Sequence, residues 1–120
     1  MSVTILHNPK CSSSRHALEL LEARGAAPTV IEYLKTPPSA AELDAILTKM
    51  GAEPDALLRT RNAPEEAVAA WESAGSRAAR IAALVAHPIL IERPVVVAGA
   101  KAALVRPKAE AEAILDRIGA

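Results

Sequence analysis

A chain of 120 residues, 51% of them apolar, is long enough for one domain with a modest core, and with 2% aromatics and no Phe that core is aliphatic. So few aromatic faces leave little for a nucleobase to stack on, and fourteen basic residues balance fourteen acidic ones, so no nucleic-acid partner is signalled. A single cysteine excludes an internal disulfide, no basic and apolar leader opens the chain, and no apolar run reaches the ~18 residues that cross a bilayer; a cytoplasmic protein with no membrane partner is expected.

Residues 3–6 read as a buried strand. Residues 12–24 read as a helix with Leu18 and Leu21 on one face and Gly25 as its stop. Residues 29–33 are rich in β-branched side chains and read as a second strand. Strand, helix and strand within roughly thirty residues make a βαβ unit, so these two strands should be parallel. Thr36-Pro37-Pro38 breaks the chain, and Ser39 and Glu42 frame a capping box. Leu43, Ile46, Leu47 and Met50 then follow at helical spacing until Gly51. Residues 53–86 hold further helices, one begun by Pro64 and one with Ile81, Leu84 and Val85 as its apolar face, ended by His87-Pro88.

Strand character returns at residues 95–97; Gly99 marks a turn, and residues 102–105 form the return strand of a hairpin. Pro107 opens a last helix with Ala111, Ile114, Leu115 and Ile118 on one face and Gly119 after it. The order predicts an α/β fold: a thioredoxin-like mixed four-stranded sheet (βαβ…ββα), with a helical insertion at about residues 38–88 between the second and third strands. The whole is expected to be a single domain spanning residues 1–120.

Cys11 carries the chemistry. A lone cysteine is often just a small buried hydrophobe, but Pro9 and three consecutive serines, Ser12 to Ser14, are poor core company. At a strand-to-helix turn, unpaired backbone N–H groups favour the thiolate. A free thiol with a pKa of about 8.5 is only about 3% ionised at pH 7, and lowering it by about two units takes roughly 2.7 kcal/mol. A helix N-terminus supplies about 0.3–1 kcal/mol, or up to ~2 when partly buried. The rest must come from a cation and hydroxyl donors; Ser13 or Ser14 could donate, and Arg15 lies one helical turn on. The pattern is Cys11-x-x-Ser14, so a redox reaction needs a second sulfur from another molecule.

Arg24, Arg61, Arg77 and Arg80 are read as solvated surface. Arg59 follows an apolar run, whereas Arg93 and Arg106 each precede a proline at a strand end. If the sheet brings these three to Cys11 they form an oxyanion pocket, because guanidinium groups match tetrahedral oxyanions bidentately. Pro94 opens the third strand, where thioredoxin-like folds carry a cis proline facing the thiol. His7 reads as a hydrogen-bonded structural residue that could also tune Cys11. Tyr33 and Trp71 read as packing residues. The histidines show no ligand spacing with Cys11, so no metal is expected, and no nucleotide-binding glycine motif is present.

Five blocks carry a family resemblance: His7-Asn8-Pro9-x-Cys11-Ser12-x-Ser14-Arg15, Tyr33-Leu34-x-x-Pro37-Pro38, Leu57-Leu58-Arg59, the run from His87 to Val97 that contains Arg93-Pro94, and Arg106-Pro107. The chain resembles the glutaredoxin-dependent arsenate reductases, the ArsC-like branch of the thioredoxin superfamily that also contains the Spx regulators. The resemblance implies that Cys11 attacks arsenate, that Arg59, Arg93 and Arg106 bind the oxyanion, and that His7, Ser14 and Arg15 support the thiolate. It further implies glutathione as co-substrate, glutaredoxin as partner, arsenite as product and no bound cofactor. Two alternatives belong to other classes. An Spx-like protein binds RNA polymerase, but its redox switch uses a C-x-x-C pair that this chain lacks. A monothiol reductase that deglutathionylates proteins would have no use for the arginines.

Overall fold

The computed structural model describes residues 2–120. Four strands, β1 (Val3–His7), β2 (Thr29–Glu32), β3 (Val95–Ala98) and β4 (Lys101–Leu104), join in one mixed sheet of order β2-β1-β3-β4. β1 and β2 are parallel, as a βαβ crossover requires. β3 runs antiparallel to β1 and pairs with β4 as a hairpin, turning at Gly99, whose φ is +59°. β1 and β3 are central; β2 is an edge strand with Thr29 and Val30 exposed.

Side chains alternate across the sheet, so each central strand feeds two cores. Val3 and Ile5 of β1 and Val96 and Ala98 of β3 pack on one face against α1 (Ser12–Ala23) and α5 (Ala111–Ile118). Leu6 and Val95 face the other side, where α2 (Ala40–Met50), α3 (Glu65–Glu72) and α4 (Arg77–Ala86) supply Leu43, Leu47, Trp71 and Leu84. The segment between β2 and β3 is therefore the cover of one face of the sheet. No helix among the described residues is long and apolar enough to cross a membrane.

Local rules explain the helix ends. Ser39 and Glu42 exchange reciprocal hydrogen bonds at the start of α2, and Gly51 takes the left-handed conformation that stops it. In α1 the fully buried line is Ser14, Ala17 and Leu21; Leu18 lies at its margin, half-buried. Pro107 precedes a 3-10 turn (Lys108–Glu110) and α5 begins only at Ala111.

Three of the arginines expected on solvated surface are engaged. Arg77 joins Asp44 and Glu53 at 3.0 and 3.1 Å, and Arg24 reaches Asp116 at 2.8 Å. Arg80 lies over the Trp71 ring at 5.7 Å. The carboxylate partners of Arg24 and Arg77 are far away in sequence, which is why local pattern left those two unassigned.

Candidate functional site

Strand direction assembles the site. β1 and β2 end, β3 begins and β4 ends at the same edge of the sheet, because β3 is antiparallel to its neighbours. The loop after β1 carries Cys11, Tyr33 follows β2, Arg93 precedes β3 and Arg106 follows β4 two residues on. Arg59 arrives by another route. Leu58 and Ile91 form an isolated antiparallel bridge, in which the Arg59 N–H donates to the Leu90 carbonyl and the Glu92 N–H to the Leu57 carbonyl, both at 2.7 Å. That bridge ties the insertion to the lead-in of β3. The Arg93–Pro94 and Arg106–Pro107 peptides are both cis.

Cys11 is the N-cap residue of α1, with extended backbone (φ −97°, ψ 124°) and no side-chain cap hydrogen bond. A serine or aspartate there would place an oxygen on the free N–H groups of the first turn. The half-buried Cys11 stands there instead. Burial pushes the thiol up, but the backbone N–H of Ser14, the Arg93 guanidinium and the backbone N–H of Ser13 outweigh it. The thiol is held below its ordinary value. Arg106 Nη1 also approaches Sγ, at 3.9 Å, while donating to the Arg93 carbonyl at 3.0 Å.

His7 and Ser14 act one layer beneath the sulfur. The Ser14 hydroxyl, fully buried, lies 2.7 Å from His7 Nδ1 and accepts the Asn8 N–H at 3.0 Å. It is thus committed to the loop, and Ser14 reaches the sulfur through its backbone. Burial holds His7 below its ordinary value; Glu32 opposes this and Arg15 adds to it. Arg15 donates to the Pro9 carbonyl at 2.8 Å on the exposed side of the loop. Arg15 thus braces the loop that carries Cys11.

Arg59 and Arg106 turn their guanidinium groups to a residue the sequence did not single out, and the Arg93 backbone meets it too. Glu92 Oε1 lies 3.2 Å from Arg59 Nη1 and 3.7 Å from Arg106 Nη1, and accepts the Arg93 N–H at 3.2 Å. Its carboxylate is the acidic centre of the cluster. Tyr33, read from sequence as packing, is fully buried with its hydroxyl donating to the Ile91 carbonyl at 3.3 Å. Burial raises the phenol, and the neighbouring Arg93 opposes that rise. Two signals pointed to these residues: a buried phenol needs a polar partner, and three clustered cations need a counter-charge. Neither signal names a position.

Arg93 Nε is buried without a hydrogen-bond partner among the described residues. A buried donor left open beside a thiolate suits a ligand with several acceptor oxygens. Burial works against the charged guanidinium of Arg93, but Cys11 and Tyr33 raise it above its ordinary value. A cleft of about 360 Å³ opens elsewhere, beneath α2 between Thr4, Ile31, Pro37 and Lys49. The thiol and arginines lie outside it, and a small tetrahedral anion held by forked cations needs no such volume. The described residues contain no group of three or more His, Cys, Asp or Glu able to hold a metal ion.

A model of the ArsC family matches residues 6–114 of this chain. The chain is 40% identical over 116 residues to a Rhizobium meliloti (strain 1021) protein named arsenate reductase, across 97% of this chain and 81% of that protein. It is 41% identical over 114 residues to an arsenate reductase of Neisseria meningitidis serogroup B, across 94% and 97%. The solved structure of an arsenate reductase from Vibrio cholerae aligns with a TM-score of 0.83 and 44% identity, covering 96% of this chain and 98% of that one.

Proposed function

The chain belongs to the ArsC family, and on that premise we propose that it is an arsenate reductase in which Cys11 is the nucleophile and Arg59, Arg93 and Arg106 hold the oxyanion. The observation that carries this reading is a thiol kept below its ordinary value beside Arg93, with a second guanidinium nitrogen 3.9 Å from its sulfur. A thiol whose ionisation is favoured beside fixed cations has both the electrons to attack and the field to receive an anion.

The Cys11 thiolate attacks arsenic and forms a sulfur–arsenic bond, while an arsenic–oxygen bond breaks and its hydroxyl takes a proton from solvent and leaves as water. The arginines neutralise the oxygens as charge accumulates. An external thiolate then attacks the Cys11 sulfur. The sulfur–arsenic bond breaks with its electron pair left on arsenic, which becomes arsenite, and Cys11 is left in a mixed disulfide. The chain has one cysteine, so that disulfide is with another molecule. Glutathione is the co-substrate of this reading, and glutaredoxin the partner that removes it from Cys11. Both belong in a reducing cytoplasm.

The test is arsenite formation from arsenate with glutathione and glutaredoxin supplied. The intact protein should turn over and Cys11→Ala should not. No arsenite from the intact protein, or unimpaired turnover by the variant, refutes the reading.

A further inference from the structure

Glu92 stands inside a pocket whose other charged groups all suit an anion, and the reduction above gives it no task. It is not a surface carboxylate pairing with convenient cations: its side chain is 19% exposed and that of Arg59 14%. Every contact made by the carboxylate falls on Oε1, with Arg59, Arg106 and the Arg93 N–H. Oε2 is left as an acceptor. Arg106 Nη1 is shared by carboxylate and thiol, 3.7 Å from the one and 3.9 Å from the other. An anion held by Arg106 beside the sulfur is therefore within reach of Glu92.

A carboxylate can only accept hydrogen bonds. Facing an oxygen that carries a proton, it makes a short charge-assisted bond of about 2.5–2.7 Å. Facing a bare oxyanion oxygen, it repels. We infer that Glu92 makes this pocket selective for a protonated tetrahedral oxyanion, by accepting a hydrogen bond from an oxyanion hydroxyl and rejecting anions that have none. The inference rests on the proposed arsenate chemistry for its site. Arsenate and phosphate each keep at least one hydroxyl at neutral pH, whereas sulfate keeps none. Glu92 thus separates the first two from the third, not from each other. It also offsets one of the three guanidinium charges, so that with a Cys11 thiolate the pocket carries one net positive charge rather than two.

Alkylation of Cys11 by iodoacetamide reads oxyanion binding without any turnover. In the intact protein, phosphate should slow alkylation at concentrations where sulfate, at matched ionic strength, does not. In Glu92→Gln, whose amide can donate, sulfate protection relative to phosphate should improve by at least about tenfold, the lower end of what a charged hydrogen bond contributes to discrimination. Sulfate protecting the intact protein as well as phosphate does, no protection by either anion, or an unchanged ratio in a folded Glu92→Gln each overturns the inference. The intact-protein comparison decides alone if the variant does not fold. Arsenate turnover without selectivity sinks Glu92's role only; selectivity without turnover sinks the reductase reading only.

Discussion

Replacing Ser14 by alanine separates two ways in which that residue can act on the Cys11 sulfur. Its hydroxyl is fully buried between His7 Nδ1 at 2.7 Å and the Asn8 N–H at 3.0 Å. The variant strands both groups, at about 1–3 kcal/mol each. Because a water can replace part of that, the loss should be about 2–4 kcal/mol. For a chain of this length it lowers the melting temperature by roughly 8–15 °C. The backbone N–H of Ser14, which holds the thiol down, is unchanged, and alanine suits the first turn of α1. The midpoint of Cys11 ionisation should therefore move little. Thermal melts measure the first quantity; ultraviolet thiolate absorbance against pH measures the second. A melt close to that of the intact protein, with the thiol returned to its ordinary value, would show that the hydroxyl and not the backbone holds the sulfur.

Arg93→Ala should raise the Cys11 ionisation midpoint, because it removes both a hydrogen bond and a charge that lower it; alkylation of the free protein at neutral pH should slow several-fold, and an unchanged rate would contradict the geometry. Acid should weaken the fold through His7, which burial keeps neutral and whose folded-state pKa lies below the ordinary 6.5. The unfolded chain then binds the extra proton first, so this contribution is full above the ordinary value and is lost as pH falls towards the folded one. The urea midpoint should drop as pH falls below the ordinary histidine value, and His7→Gln should flatten that slope. The same slope in the variant would assign the loss to other groups.

The elements were largely legible because each rests on a local rule. The capping box at Ser39, the stop at Gly51, the strand run from Val95 and the hairpin turn at Gly99 all declare themselves within a few residues. That β2 lies at an edge of the sheet was not legible, because β-branched composition does not say whether a strand is central or at an edge. The Arg15 hydrogen bond to the Pro9 carbonyl was not legible either, because helical spacing gives a residue's face and not its partner.

Cys11 and the arginines were visible as candidates, yet their convergence depends on strand direction, which composition does not carry. Once β3 runs antiparallel between β1 and β4, the end of β1, the start of β3 and the end of β4 must share one edge. Cys11, Arg93 and Arg106 then meet whatever else the chain does. Arg59 and Glu92 do not follow from the sheet; they meet because the Leu58–Ile91 bridge sets the insertion beside the lead-in to β3. The same bridge brings a carboxylate into a cationic pocket. Such an arrangement leaves no trace in a sequence whose total charge is zero, because the opposite charges are joined across 33 residues. A pocket of cations alone would take any small anion. One with a fixed acceptor among its donors asks its ligand for a proton as well, and that demand is a property of the assembled edge rather than of any one segment.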